Sequence, residues 1–261
     1  MTLSVPSSEY SKEYFLTECD GFYEFKHNKF ILPSRLRTLW NVANISTTER
    51  VLDIGCGRGE ILAQCAQEHI AAVGLDYSDD ALKLTSRLLD RLEQTRILLP
   101  QIIRGNAVSL PLANESFDVV IMSDIVEHLY PYELLSTLQE VHRVLKTSGR
   151  VVIHTMPNLW YYRYGYPLYR LLNHLGRKQL PRDPRARFRF SHVHVNEQTP
   201  RKLRRMLYRA GFISTQILLI DYREYSEHSV LMRTMMKIAT HSPIIKQIFC
   251  DDIFAIARKT R

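Results

Sequence analysis

A short stretch, MSDIVEHL at 122–129, brings two carboxylic acids and an imidazole within five positions of one another. The residues are Asp124, Glu127 and His128, and the run before them is apolar, as is typical of a buried strand. Spacings of three and four would place them on one face of a helical turn. An imidazole with a pKa of about 6.5 could accept a hydroxyl proton, so His128 is a candidate general base. In the alternative interpretation Asp124 caps a helix, and the other two side chains only hold neighbouring loops.

Strand and helix patterns alternate around this stretch. The apolar run RVLDI is followed by the glycine turn GCGRG and then by the helical pattern EILAQCAQEH. The further strand patterns are AAVGLDYS, QIIRGNA, FDVVIMSD, RVVIHT, ISTQILLI and DIFAIARK. This alternation predicts an α/β fold with a doubly wound, mostly parallel seven-stranded sheet. Ligands of such sheets bind at the carboxyl ends of the strands, where the cluster of Asp124, Glu127 and His128 also lies.

The glycine turn has the spacing GxGxG, formed by Gly55, Gly57 and Gly59, and Asp53 precedes it. Glycines at this point let the backbone approach a ligand closely at a helix N-terminus. Asp53 suits a ligand with an ammonium group, and Asp76 at the end of the second strand could accept both hydroxyls of a ribose. S-adenosylmethionine carries both an ammonium group and a ribose, so it fits both features. A nicotinamide dinucleotide fits less well, because its fingerprint is GxGxxG and Asp53 would repel its phosphates.

Four segments resemble the successive motifs of the class I S-adenosylmethionine-dependent methyltransferases of type 11. They are VLDIGCGRGE, GLDYS, GNAVSLPLANESFDVVIMSDIVEHL and LKTSGRVVI. The resemblance covers roughly residues 50–157 and implies a Rossmann-like methyltransferase fold. It also implies S-adenosylmethionine as the methyl donor and S-adenosylhomocysteine as the product.

The same resemblance assigns the cofactor-binding residues. Those expected around the methionine portion are Asp53, Gly55, Cys56, Gly57 and Gly59. Those expected around the nucleoside are Asp76 at the ribose, Tyr77 beside the adenine, Asn106 and Ala107 at its edge, and Ser123 at the end of the pocket.

A metal-binding interpretation of the opening cluster comes from a narrower resemblance. Ubiquinone-pathway O-methyltransferases and small-RNA terminal 2′-O-methyltransferases carry ExxEH here and bind a divalent ion with a later histidine, whereas this chain reads DxxEH. Its segment SHVHVNEQT is similar to the one that supplies the later ligand, with His194 best placed. Mg²⁺ or Zn²⁺ would suit such ligands. We expect His128, Glu127 and His194 to form the catalytic cluster, and a version without a metal is favoured.

The positive charge is concentrated in one segment. With 35 basic and 27 acidic residues the net charge is +8, and the residues from Trp160 to Phe190 hold eight basic residues against Asp183 alone. Arginines beside aromatic rings could hold an anionic acceptor or contact a membrane surface, so we expect a substrate lid at 158–198. A solvated basic face is the alternative. Nucleic acid is a less favoured partner, because no RNA-binding module or basic tail is appended.

The length suits one domain over residues 1–261 that encloses a single core. Its expected parts are an N-terminal helical cap over the ligand-binding edge at 1–45, the cofactor-binding core at 46–157, the lid at 158–198 and the rest of the sheet with a helical insertion at 199–261. Within the core, the helix YELLSTLQEVHRVLK is expected to end at Gly149.

Four cysteines without a CxxC pair argue against a zinc knuckle and against a disulfide framework. The N-terminus shows no secretion pattern, so we expect a cytoplasmic protein, with peripheral membrane contact left open, as either a monomer or a homodimer. The sequence predicts a methyltransferase that acts on a hydroxyl group of a small-molecule, glycan or lipid-linked metabolite. The alternatives are an RNA methyltransferase and a non-catalytic scaffold that binds S-adenosylmethionine.

Overall fold

The computed structural model describes residues 4–19, 21–22, 25, 27, 31–93, 99–175, 179–221 and 230–260. Parts of the N-terminal segment YFLTECDGFYEF lie outside this range, as do Arg177, Lys178 and the side chain of Arg187 in the basic insertion. No helix among the described residues is long and apolar enough to cross a membrane.

Seven strands of the described chain form a single sheet. They are β1 Arg50–Ile54, β2 Ala71–Asp76, β3 Gln101–Arg104, β4 Phe117–Ser123, β5 Leu145–Thr155, β6 Ser214–Leu219 and β7 Ile253–Arg258. Their order across the sheet is β3-β2-β1-β4-β5-β7-β6. All neighbours are parallel except β7, which runs antiparallel to both β5 and β6. The expected doubly wound, mostly parallel seven-stranded sheet is confirmed.

Helices cover both faces of this sheet. They are α1 Lys12–Thr17, α2 Ser34–Ala43, α3 Glu60–Gln67, α4 Asp79–Glu93, α5 Pro131–Val144, α6 Tyr166–Leu175, α7 Pro200–Arg209, α8 Val230–His241 and α9 Lys246–Phe249. Short 3₁₀ turns lie at Ser7–Glu9, Val126–His128, Pro184–Arg187 and Ser191–Val193, and a π-helical turn lies at Tyr161–Gly165. The hydroxyl of Ser78 accepts a hydrogen bond from the Ala81 N–H at 3.2 Å and so caps α4.

The central strands are apolar on both sides because both sides are covered. In β4, Val120 and Met122 pack in the layer that contains α5, and Val119 and Ile121 pack in the layer that contains α2 and α3. All four side chains are fully buried. This alternation explains why the strand reads as a continuous apolar run in the sequence.

The helix expected to end at Gly149 ends at Val144 instead. Leu145 already pairs with Phe117 of β4, and the Gly149 carbonyl accepts the backbone N–H of Lys259 at 2.9 Å. The segment therefore begins β5. The prediction was wrong because these strand partners are distant in sequence and do not show in a local pattern.

The carboxyl ends of β1, β2 and β4 meet at one edge of the sheet. There the chain crosses from β1 to β2 on one side and returns to β4 on the other, which is the switch in strand order where such sheets bind ligands. N-terminal residues between Ser4 and Cys19, which we call the cap, contribute to the wall above this edge.

Candidate functional site

A cleft opens between the strand ends and the N-terminal cap. All of the expected cofactor residues line it with the exception of Gly59. Tyr10, Tyr14 and Phe15 of the cap form the facing wall. His128 lines the same cleft, whereas Glu127 does not, and neither does His194. The fold thus brings the glycine turn and one member of the expected catalytic cluster into one cavity.

The glycine turn is held against β2 by backbone hydrogen bonds. The N–H groups of Gly55 and Cys56 donate to the Leu75 carbonyl at 2.7 and 3.1 Å, and the N–H of Gly57 donates to the Asp76 carboxylate at 3.0 Å. Gly55 and Gly57 have φ values of +73° and +55°, in the left-handed region that glycine adopts with least strain. The turn therefore presents backbone to the cleft.

Gly59 has a conformational role instead of the expected ligand contact. Its φ is +86°, and a Cβ at this position would lie 2.7 Å from the side chain of Thr85 in α4. The Thr85 hydroxyl in turn donates to the Gly57 carbonyl at 2.7 Å. A side chain at position 59 would push α4 away from the turn, so Gly59 shapes the pocket without lining it.

Two aspartates in the cleft wall have raised pKa values. Burial, followed by the charges of Asp76 and Glu60, raises the pKa of Asp53 to about 8. None of the described residues donates a hydrogen bond to this carboxyl group, which is 2% exposed. Burial also raises the pKa of Asp76, although the N–H groups of Ser78 and Gly57 oppose the shift. A cationic ligand group beside Asp53 would stabilise its ionised form, which fits the ammonium group of S-adenosylmethionine.

Binding of such a ligand should release a proton, because Asp53 is largely protonated at neutral pH in the free protein. We expect the affinity for S-adenosylhomocysteine to rise several-fold per pH unit between about pH 6 and 7.5. The ligand's own amino group stays mostly charged in this window, since even the α-amino group of a peptide has a pKa of about 7.7–8.0. Calorimetry in two buffers of different ionisation enthalpy measures the released proton. Asp53→Asn should bind more weakly and lose the pH dependence, and a flat wild-type affinity would contradict the assignment.

The backbone turns Asp124 away from the rest of the opening cluster. Asp124 has a φ of +53°, a left-handed conformation, just before the 3₁₀ turn at Val126–His128. Its carboxylate lies 2.7 Å from His154 Nδ1 and pairs with Arg35 at 2.8 Å. The prediction that Asp124 shares one helical face with the next two polar residues was wrong, because the chain reverses before the helical turn begins.

His154 is fully buried between two carboxylates, with Nδ1 against Asp124 and Nε2 3.0 Å from Asp252. Burial alone would lower the pKa of His154, but the two carboxylates outweigh it and raise the pKa to about 9. Burial would likewise raise the pKa of Asp124, yet Arg35 and His154 hold it well below its usual range. These charge-assisted contacts tie α2 to the ends of β4 and β5. No local pattern in the sequence indicates that His154, Arg35 and Asp252 belong to the site.

Glu127 and His128 are buried, and both are mainly uncharged at neutral pH. Burial and the Asp124 charge raise the pKa of Glu127 to about 8, and the Thr155 hydroxyl donates to its carboxyl group at 2.7 Å. Burial and the neighbouring His194 lower the pKa of His128 to about 3. His128 is therefore present in its base form, although it is a weak base.

The contacts of His128 indicate its tautomer. Nδ1 lies 3.3 Å from the carbonyl oxygen of Val193, which can only accept, so Nδ1 carries the proton. Nε2 is then an acceptor and faces the Tyr14 hydroxyl at 3.4 Å. Because Tyr14 lines the cleft, its hydroxyl group connects Nε2 of His128 with the cleft.

His194 lies beside His128, with the ring centroids 4.9 Å apart. Glu127, His128 and His194 each offer one ligand atom within 4.8 Å of the others, so a divalent cation could join them. Asp124 does not belong to this group, because its carboxylate contacts His154. An ion would also have to displace the proton of Glu127, since metal ligands bind in the deprotonated form.

The sequence did not identify the side chains of the cap that contact the glycine turn or the cluster of Glu127, His128 and His194. Arg58 of the glycine turn is 3% exposed, and it donates to the Phe15 carbonyl at 3.1 Å. Tyr10 and Tyr14 pack edge-on, with centroids 5.2 Å apart. The available signal was their spacing of four residues next to Phe15, which favours one aromatic helix face. That spacing alone does not say what the face covers.

Side chains of the basic insertion form polar contacts with the cap. Arg189 pairs with Glu13 of α1, and His192 pairs with Glu9 at 2.9 Å. None of the described residues in the range 158–198 lines the cleft. The insertion therefore contacts the cap that borders the cleft, and the substrate lid expected at 158–198 stays a prediction.

Arg185 of this insertion is likewise engaged within the protein. Its Nε donates to Glu197 at 2.9 Å, and its guanidinium lies 5.2 Å from the centroid of the Tyr162 ring. These contacts offer a structural role for one arginine of the segment that could hold an anionic acceptor.

Comparison with known proteins finds similarity to methyltransferases. Residues 52–153 match the family model described as "Methyltransferase domain". A demethylmenaquinone methyltransferase of Oceanobacillus iheyensis is 30% identical, over 48% of this chain and 53% of that protein. A protein of the same name from Lactococcus lactis is 29% identical, over 62% of this chain and 61% of that protein. The chain thus spans between half and two thirds of the length of these curated relatives.

Solved structures share the fold over most of the chain. A SAM-dependent methyltransferase from Archaeoglobus fulgidus has a TM-score of 0.57 and 24% identity, and covers 91% of this chain and 100% of that one. An S-adenosylmethionine-dependent methyltransferase from Mesorhizobium loti has a TM-score of 0.59 and 16% identity, over 87% of this chain and 98% of that one. At these identities the likeness concerns the fold alone.

Proposed function

We propose, from the premise that this chain belongs to the class I S-adenosylmethionine-dependent methyltransferases, that it transfers a methyl group to a hydroxyl group of a small-molecule acceptor. The observation that carries the proposal is a single cleft. It combines the glycine turn, Asp53 and Asp76 with the Tyr14–His128 pair. The first group suits the donor, and the second suits an acceptor that must lose a proton.

Asp53, Asp76 and the turn at Gly55 and Gly57 would hold the donor. Asp53 would accept hydrogen bonds from its ammonium group. Both oxygens of Asp76 accept backbone N–H groups, and their remaining lone pairs can accept ribose hydroxyls. When bound, S-adenosylmethionine supplies an electrophilic methyl group on its sulfonium sulfur. Methyl transfer is a direct displacement, so the main contribution of the chain is to align the two partners.

Tyr14 and His128 would receive the acceptor proton. The Tyr14 oxygen can accept a hydrogen bond from an acceptor hydroxyl while its own O–H donates to Nε2 of His128. The low pKa of His128 makes early proton removal unfavourable. The proton should therefore leave the acceptor hydroxyl while its oxygen gains the methyl group, because the acidity of the hydroxyl rises steeply at that stage.

The relatives and the lining of the cleft support the ring class of the acceptor, while the choice of a hydroxyl group rests on the Tyr14–His128 pair. The two relatives are named for demethylmenaquinone, a quinone with an isoprenoid chain. Tyr10, Tyr14 and Phe15 provide an aromatic wall that suits a planar ring. A phenolic or quinol acceptor is accordingly our first choice among small molecules, and a glycan is the second.

Incubation with methyl-labelled S-adenosylmethionine and a panel of acceptors tests the proposal. We expect label in a phenolic or quinol acceptor, as a methoxy group by NMR of the product, and none in sugars or RNA. A label on a ring carbon would refute the hydroxyl group as the methylated group, but the chain would still be a methyltransferase. Label in RNA would support an RNA methyltransferase, and tight donor binding without any transfer would support a scaffold.

A further inference from the structure

Helix α8 turns an apolar side toward solvent. Leu231, Met235 and Ile238 recur at spacings of four and three, so they share one side of the helix. They are 71%, 41% and 63% exposed, whereas Met236 and Thr240 on the other side are buried. A surface helix normally carries polar residues on its outer side. A helix that is apolar on both sides indicates a second contact surface.

Further exposed apolar side chains follow α8 in the chain or lie on α6, which is connected to α8 through α9 and the turn at Tyr161–Gly165. Ile244 is 81% exposed, and Leu168 and Leu171 of α6 are 45% and 55% exposed. The turn before α6 packs on α9 so closely that a Cβ on Gly165 would stand 1.8 Å from the carbonyl oxygen of Ile248. We call the exposed side chains of α6, α8 and Ile244 the apolar face.

The apolar face is accompanied by positive charge. Residues 160–175 and 230–250 contain five basic residues and no acidic residue. The basic residues are Arg163, Arg170, Arg233, Lys237 and Lys246. Apolar side chains beside lysines and arginines are the composition of helices that lie in the headgroup region of an anionic bilayer.

Both segments extend from the sheet edge that carries the cleft. Leu219 at the end of β6 pairs with Ile253 at the start of β7, and Ile253 pairs with Thr155 at the carboxyl end of β5. The cleft lies at the carboxyl ends of β1, β2 and β4 in the same sheet. The apolar face and the cleft are therefore built on segments that leave the same edge of the sheet.

We propose that the apolar face docks on an anionic lipid surface. A second copy of this chain fits less well, because self-pairing would bring two basic, acid-free segments together. The apolar face shares no residue with the cleft, so docking does not depend on the proposed function.

Flotation with two kinds of vesicle tests the proposal. One kind contains phosphatidylcholine alone, and the other also contains about 30% phosphatidylglycerol to supply anionic charge. We expect the full chain to bind the anionic vesicles at least about tenfold more strongly, with an affinity that falls as salt screens the basic residues.

The double variant Leu231→Ser/Ile238→Ser should partition onto anionic vesicles at least about tenfold less than the wild-type chain. Lys237→Glu should weaken partitioning by about fivefold or more. Ile213→Ser is the matched control, because Ile213 is 73% exposed but adjoins Ser214, at the opposite end of β6. All variants should keep their melting temperature and their affinity for S-adenosylhomocysteine, which separates docking from folding.

Failure of the wild-type chain to bind anionic vesicles would overturn the proposal, and so would equal binding by the double variant. Sedimentation supplies a further check. A wild-type dimer that the double variant dissociates would assign the apolar face to a second copy of the chain and would also overturn lipid docking.

Discussion

Gly57→Val is expected to bind S-adenosylhomocysteine at least about 100-fold more weakly than the wild-type chain. Gly57 has a φ of +55°, which a β-branched residue adopts only with strain of about 1–2 kcal/mol or more. Its backbone also lines the cleft beside Asp76, so a valine side chain would enter the space that the ligand needs. Calorimetry measures the affinity, and the melting temperature reports the strain separately.

Gly211→Val is the matched control for this variant. Gly211 also has a positive φ, +102°, and a Cβ there would lie 3.4 Å from the His142 ring, close to the 3.5 Å that separates a Cβ on Gly57 from Phe15. Gly211 is distant from the cleft walls, at the end of α7. The Gly211→Val variant should be less stable than the wild-type chain but should keep its affinity for the ligand. Equal affinity of Gly57→Val and the wild-type chain would refute the cofactor assignment.

His128→Ala is expected to lower kcat by about 100-fold, at the lower end of the range for acid–base catalysis, because the low pKa of His128 makes it a weak base. The affinity for S-adenosylhomocysteine should change little. Tyr14→Phe removes the hydroxyl that links His128 to the cleft, so it should reduce kcat as well. His128→Ala with undiminished turnover in the presence of a chelator would leave only a structural role for the imidazole.

The pH profile and a chelator distinguish the remaining versions of this site. If His128 is the group that matters, kcat should show no inflection between about pH 5 and 7, because its pKa lies near 3 and the base form is present throughout. If ionised Glu127 is required, kcat should rise with pH toward a pKa of about 8, and Glu127→Gln should be inactive. If a cation joins Glu127, His128 and His194, chelation should abolish activity and Mg²⁺ or Zn²⁺ should restore it.

The donor side of the site could be predicted from the sequence because its parts are local. Asp53 and Gly57 follow one strand, and Asp76 ends the next. In a parallel sheet the carboxyl ends of such strands must meet at one edge, so the strand pattern alone brings these residues together. The apolar runs likewise determined the strands themselves, since a strand covered on both faces needs apolar residues at every position.

Only the tertiary structure decided how the acceptor side is built. Tyr14 and His128 are 114 positions apart, and nothing in either local pattern indicates that their side chains meet. The direction of Asp124 depends on a backbone φ of +53° and on contacts with His154 and Arg35. A spacing rule assumes one continuous helical turn, and it fails where partners distant in sequence stabilise a different backbone conformation. The carboxylate that the sequence placed in the reactive cluster is for this reason part of a charge network with Arg35 and His154 at the wall of the cleft.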